Sequence, residues 1–469
     1  MKAKSKILGI SMTLQCMLLG SGLFSQIDTK VKTKLDSYLS IQKERIGFNG
    51  VVLIADKDDV LYQKAIGQAS FELQIPLEMD AKFKIASISK SFTGMLLVLA
   101  EEEGKIRLED TLGTYFPDLK MAPEWQRVTL GELASHTSGV PHWKGYKDYW
   151  PIRSRIPLDT EQVLADVFTM ELVDDHGLSA HYSSPAYFLL AVILERTYKR
   201  PYGQLFKEKI ADPLEMQGSG EYDGIGIVLG MVSGYHLLPN DSLVLAPYRD
   251  MSTMRGGGHL YSTAHDLLKW NRSLLGNGFW KESLLERYLA PLTDATFPSN
   301  NDAKYAMGQY VHFKSPSRPM AYQAAGGTFG FSSISAVYPE QGMTIVILGN
   351  ASFLPMNEIW ADMEKIVFKR PFKLPEIFKG SQLSKRELSA YSGTYRAENG
   401  MVVRMDIFQG DLYAKLGNNP PFRILHETDN VFYGTKANVR FEFVERVEGI
   451  GISGVIATGK GRTQHFKRQ

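Results

Sequence analysis

The sequence holds one cysteine, Cys16, in 469 residues. That scarcity excludes an intramolecular disulfide framework and a Cys-rich zinc or iron–sulfur site. It also lacks an excess of either charge. The 53 Lys and Arg are balanced by 51 Asp and Glu, which argues against nucleic acid as a partner, since phosphate-backbone binding draws on a basic surface. After the N-terminal stretch no segment offers the roughly 20 uninterrupted apolar residues of a transmembrane helix. No GxSxG, HExxH, Walker A or glycine-rich dinucleotide pattern stands in its expected context. The 10 histidines are scattered without metal-ligand spacing, so no metal site is expected. What remains is ordinary globular material, 44% hydrophobic and 22% charged, with room for one large domain or two or three smaller ones.

The first 25 residues read as a secretory signal peptide. Lys2, Lys4 and Lys6 form a basic start, and Ile7 to Phe24 is apolar or small without charge. A cut after Ser25 leaves Gln26 first, removes Cys16, and leaves 50 basic against 51 acidic residues, a formal −1. The expected product is periplasmic or secreted and has no stable membrane span. A retained N-terminal anchor is the alternative reading of the same stretch.

Residues 27–47 carry apolar positions at helical spacing. GVVLIAD and VLYQKAIG, separated by polar residues, predict a β-hairpin over 50–67. SKSFTGMLLVLAEEE predicts an apolar helix ended by Gly104, and PAYFLLAVILER another with Pro185 in its first turn. Ser262 or Thr263 is the expected cap of a helix over STAHDLLKW. GFSSISAVYP and GMTIVILGN read as strands, so the sheet is assembled from both ends of the chain around a helical region. Residues 366–385 read as a linker, and 386–469 as a compact antiparallel β domain of short alternating segments.

Ser87-Ile88-Ser89-Lys90 is the strongest local candidate for chemistry. At a helix start, serine and lysine three apart share one face. A serine hydroxyl needs an adjacent base, and a partly buried lysine that gives up its proton can serve. Taken alone, the same four residues are more often a capping serine and a surface lysine, since S-x-x-K recurs by chance. Their surroundings carry more. FKIASISKSFTGMLLVLAEEEGKIRLEDTLGTYFP, LASHTSGVP, HYSSPAYFLLAVILE, ADPLEM, GGGHLYSTAHDLLKW and YQAAGGTFGFSSISAVYPEQGMTIVILGN follow in order over residues 30–363. This series resembles the serine β-lactamases and penicillin-binding proteins, in particular the class C and D,D-peptidase-like branch.

The resemblance implies an α+β fold, an antiparallel sheet flanked by helices plus a helical region, over residues 26–365. Many secreted relatives carry a small C-terminal β-barrel-like domain after it. The resemblance also implies acylation of Ser87, proton transfer by Lys90 and Tyr182, an oxyanion hole of the Ser87 and Gly327 backbone N–H groups, and no cofactor. Two family motifs depart from pattern. Tyr-x-Asn falls on Tyr182-Ser183-Ser184, so a hydroxyl stands where an amide is usual. Lys-Thr-Gly or His-x-Gly falls on Ala324-Ala325-Gly326, without its cation and hydroxyl. The substrate side of the site is therefore expected to comprise Ser184, Ala324, Ala325, Gly326, Gly327, Trp143 and His259.

His136 and Asn350 are expected to be structural, and Asp110 to brace a turn. Trp143, Tyr146, Tyr149 and Trp150 either line the cleft mouth or pack their own insertion. The C-terminal domain is expected to pack on the catalytic one and narrow its entrance. The expected partner is a small-molecule or peptide substrate, D-residue-containing peptides included. Hydrolysis of an amide or ester, transfer to another acceptor, and ligand binding with little turnover all remain open, as does oligomeric state.

Overall fold

The computed structural model describes residues 27–469 except 175–176, 178, 239–241, 298–302, 353, 378–379, 418–420, 435–438, 446–450 and 460–461. The expected signal peptide lies outside the described residues.

Helix α1 (Thr29–Ile46) leads into the hairpin β1 (Gly50–Asp56) and β2 (Val60–Ile66). The central sheet is completed by β3 (Lys304–Ala306), β4 (Gln309–His312), β5 (Ala321–Thr328), β6 (Phe331–Tyr338) and β7 (Met343–Gly349). Its order is β3-β4-β5-β6-β7-β1-β2, and each pairing is antiparallel. Both faces are covered, which is why β1 and β7 read as unbroken apolar runs. Val51, Leu53, Val346 and Leu348 face the helical region. Val52, Ile54, Ile345 and Ile347 face α1 and α5 (Met356–Val367).

In the helical region α2 (Ser89–Glu102) is buried almost all round, so no amphipathic stripe marks it in the sequence. It lies against α3 (Ser184–Tyr198), whose N-cap Ser183 accepts from the Ala186 N–H at 3.1 Å. α4 (Ala264–Ser273) is capped by Thr263. Gly308, at φ +91°, lets the turn between β3 and β4 press onto α2, because a Cβ there would overlap the Lys90 carbonyl.

Eight antiparallel strands, β8 (Gly393–Arg396), β9 (Val402–Phe408), β10 (Asp411–Leu416), β11 (Phe422–Thr428), β12 (Val431–Gly434), β13 (Val439–Glu445), β14 (Ile452–Gly459) and β15 (Arg462–Arg468), close into a barrel. Tyr395, Val403, Met405, Phe432 and Phe441 help fill it, as expected for a small barrel. The α+β layering and the C-terminal antiparallel domain both match expectation. α5 runs to Val367, two residues into the expected linker. The segment after it returns along α1, where Lys34 Nζ donates to the Phe372 carbonyl at 2.9 Å. From α1, Arg45 also donates to the Tyr433 hydroxyl of the barrel at 2.5 Å.

Candidate active site

The strand Phe83–Lys84 pairs with Leu260–Ser262, then turns sharply into α2 through the 3₁₀ segment Ala86–Ile88. Ala86 takes φ +47°, a left-handed conformation uncommon for a residue with a Cβ and often found at functional sites. It presents Ser87 at the edge of a cleft of about 510 Å³. At this helix start the backbone N–H groups have no intrahelical acceptors.

Lys90 is fully buried one turn on. Its amine lies 3.1 Å from Ser87 Oγ, 3.2 Å from Ser184 Oγ and 2.6 Å from the Gly257 carbonyl oxygen. Burial, and then the positive charge of Arg249, hold its pKa well below that of an ordinary lysine. A neutral amine has two N–H donors and one lone pair. Donation to Gly257 and Ser184 leaves the lone pair for the Ser87 proton. A hydroxyl beside a buried neutral amine is the pairing that nucleophilic catalysis requires.

Tyr182 precedes the cap of α3. Its ring stands 4.8 Å from Lys90 Nζ, and its phenol is hydrogen-bonded with Ser87 while burial pushes its pKa far up. It therefore rests as a phenol able to donate a proton. His136 holds this segment in place. Its Nδ1 accepts from the Ser183 N–H at 3.1 Å, and its carbonyl accepts from the His181 N–H at 2.7 Å. Burial, with Lys90 and His142 nearby, keeps His136 neutral. Its expected structural role fits these bonds.

β5 forms the opposite wall. Gly326 lies against the turn that carries Ser87 so closely that a Cβ would overlap the Ile85 carbonyl. The Ser333 hydroxyl donates to that same carbonyl at 3.0 Å. Ala325, Gly326 and Gly327 line the cleft with Ser87, Tyr182 and Tyr310.

The other expected substrate-side residues lie elsewhere. Ala324 is buried in the core. Ser184 is buried with its hydroxyl on Lys90. Trp143 is buried and stacked on Tyr149, ring centroids 4.8 Å apart. Trp150 alone of that aromatic pair-and-neighbour group reaches 40% exposure, and it sits by Phe329. His259 is buried, with Nε2 3.0 Å from the Glu221 carboxylate. Ala324, Ser184, Trp143 and His259 do not line the cleft, nor does any described barrel residue. Asp110 braces its turn by accepting from the Arg107 N–H and the Tyr115 hydroxyl, each at 2.9 Å. Asn350 donates to the Gln68 and Ser233 carbonyls at 3.1 and 2.9 Å.

Three residues near the site carry no motif signal: Tyr310, whose hydroxyl burial pushes up to about 12, Arg249, and Lys84. Arg249 is 6% exposed. It donates to Thr328 Oγ1 and the Tyr149 hydroxyl, each at 3.1 Å. Only the spacing of Lys84 from Ser87 could have drawn attention to it.

Residues 35–363 match the family model described as Beta-lactamase. Penicillin-binding protein 4* of Bacillus subtilis is 25% identical over 85% of this chain and 91% of its own. The teichoic acid D-alanine hydrolase of Staphylococcus aureus is 26% identical over 70% of this chain and 75% of its own. The octameric penicillin-binding protein homologue from Pyrococcus abyssi superposes with a TM-score of 0.66 at 21% identity, covering 93% of this chain and 100% of that one. With the fold, the serine–lysine pair and a family match over most of its length in agreement, the chain belongs to the β-lactamase family and is a serine hydrolase.

Proposed function

We propose that this hydrolase works through an acyl-enzyme on Ser87, after export, and that it cleaves esters or amides of D-amino acids. Ser87 Oγ bonds to the substrate carbonyl carbon as its proton passes to Lys90 Nζ. The carbonyl oxygen takes the negative charge and is met by the N–H groups of Ser87 and Gly327. In the β5–β6 hairpin Thr328 pairs with Phe331 around a two-residue turn. Antiparallel alternation then turns the Gly327 N–H away from β6, on the side where the pairing of β5 with β4 stops at Gln323. The bond to the leaving group breaks as Tyr182 passes it a proton, and the proton held on Lys90 replaces the one Tyr182 has given, so that both groups return to their neutral forms. Water then attacks the ester on Ser87 and regenerates the hydroxyl.

The observation that carries this reading is the 3.1 Å approach of a buried Lys90 amine to Ser87 Oγ. The D-residue preference is drawn from the relative described as a D-alanine hydrolase. Export rests on the basic and apolar pattern of residues 1–25.

The test is intact-protein mass spectrometry with a fluorophosphonate and with a β-lactam. Ser87 becomes labelled, and Ser87→Ala stays unlabelled with both. Folded protein that neither probe labels overturns the nucleophile. D- and L-alanyl esters compared side by side then test the substrate class, and a tenfold preference for the L form overturns it. Labelling without turnover of any ester or amide favours the ligand-binding reading, which the missing cation at Ala324 supports.

A further inference from the structure

Beyond Gly327 the β5–β6 turn forms a wall of a second cavity, about 350 Å³ in volume. Lys84 and Arg249 both line it, with Thr328, Phe329 and Phe331. Lys84 holds its ammonium 4.1 Å from the Tyr222 ring centre and 5.6 Å from that of Phe331. Arg249 is spread over neutral groups, Thr328, Tyr149 and, at 3.0 Å, the Met254 sulfur. Its buried Nε has no partner.

Among the described residues neither cation has a carboxylate as ion-pair partner. The neighbouring acid, Asp250, accepts instead from the Tyr248 hydroxyl and the Ser252 N–H, each at 2.9 Å. Burial and the like charge of Arg249 together bring Lys84 down to about 8. Two unpaired cations in a partly desolvated cavity are costly. An entering anion relieves both that desolvation and their repulsion, and the guanidinium fork supplies directed donors for it.

The cavity adjoins the reaction centre along the chain on both sides. Lys84 lies three residues before Ser87, and Thr328 directly follows Gly327. We propose that Lys84 and Arg249 form an anion subsite of the active-site cleft, which binds a carboxylate or phosphate group on the substrate. The proposal rests on Ser87 as nucleophile and narrows its substrates to anionic ones. The charge that the family resemblance places at 324 is supplied here from two other segments, at another point along β5.

Binding is tested apart from turnover in Ser87→Ala protein, by thermal unfolding at constant ionic strength in acetate, inorganic phosphate or chloride. Phosphate or acetate raises the Tm relative to chloride, and the arm with the larger rise identifies the group. Lys84→Met in that background removes the rise, and Lys84→Arg retains it. No rise in either arm, or an equal rise in Lys84→Met, overturns the subsite. In the active protein, a succinylated D-alanyl ester is compared with its acetylated, neutral counterpart. The preference in kcat/KM for the anionic ester falls at least tenfold in Lys84→Met, and an unchanged preference overturns the proposal. If the Tm rise behaves as stated but neither the fluorophosphonate nor the β-lactam labels Ser87 in the wild type, the Ser87 reading fails and the subsite stands.

Discussion

The Lys90 amine and the Ser184 hydroxyl meet at 3.2 Å inside the core. The third residue of the Tyr182 motif thus holds the Lys90 amine instead of reaching into the cleft. Ser184→Ala removes one of the two acceptors that fix the amine, and kcat/KM falls roughly tenfold, the scale of one net hydrogen bond. The loss is expected in the acylation rate under single turnover, with KM little changed. A loss confined to KM would place Ser184 on the substrate.

Arg249 acts on Lys90 by charge. Burial and then the guanidinium favour the neutral amine, so removing that charge lets Lys90 hold its proton to higher pH. Arg249→Gln therefore moves the acid limb of kcat/KM upward, by roughly half to one pH unit. A neutral ester is the substrate of choice, so that anion binding does not enter. A limb that stays in place or moves down would exclude this coupling.

Gly326 is a contact point between β5 and the turn that carries Ser87. A Cβ would overlap the Ile85 carbonyl and come to 2.5 Å from Ser333 Oγ. Gly326→Ala is expected to cost about 1–3 kcal/mol by overpacking and to lower acylation by at least a hundredfold, because the displaced strand carries Gly327. Chemical denaturation and single-turnover kinetics measure the two effects.

Three histidines resist protonation in the fold, His136 and His312 buried and His142 half-buried, and so weaken it in acid. Burial leads in keeping His136 well below the usual value, His142 at about 3 and His312 at about 4. Their stabilising contribution is present above the unfolded value near 6.5 and is lost as pH falls, since the unfolded chain takes up protons that the folded one refuses. Each contributes up to about 1.4 kcal/mol per pH unit below that point. Urea unfolding between pH 7.5 and 5 should show the decline, with a shallower slope in His312→Gln.

Local spacing was enough to read the 50–67 hairpin and to narrow the helix cap to Ser262 or Thr263, because each depends on neighbours within a turn or a strand, whereas the Ser87–Lys90 pair stood out only through the blocks of sequence around it. Strands β1 and β7 were legible for a related reason, since both are covered on two faces and are largely apolar, while the equally buried β6 carries Ser332, Ser333 and Ser335. What joins distant segments was not. Lys84 and Arg249 meet across 165 positions of sequence, and no periodicity marks either. The left-handed Ala86 leaves no trace in residue type. Trp143 and Trp150 looked alike in their insertion, yet one became core and the other stayed half exposed, a division made by irregular backbone with no period to read.

The pairing of Gly50 with Gly349 in the β1–β7 ladder sets a condition on how the chain acquires its shape. During synthesis the first hairpin is made early but must wait for nearly 300 further residues before its neighbouring strand exists. Closing so long a loop costs entropy before any contact compensates for it. The central sheet therefore cannot be completed by its N-terminal half alone, and the first hairpin has no β7 to pair with until the last third of the domain has been made.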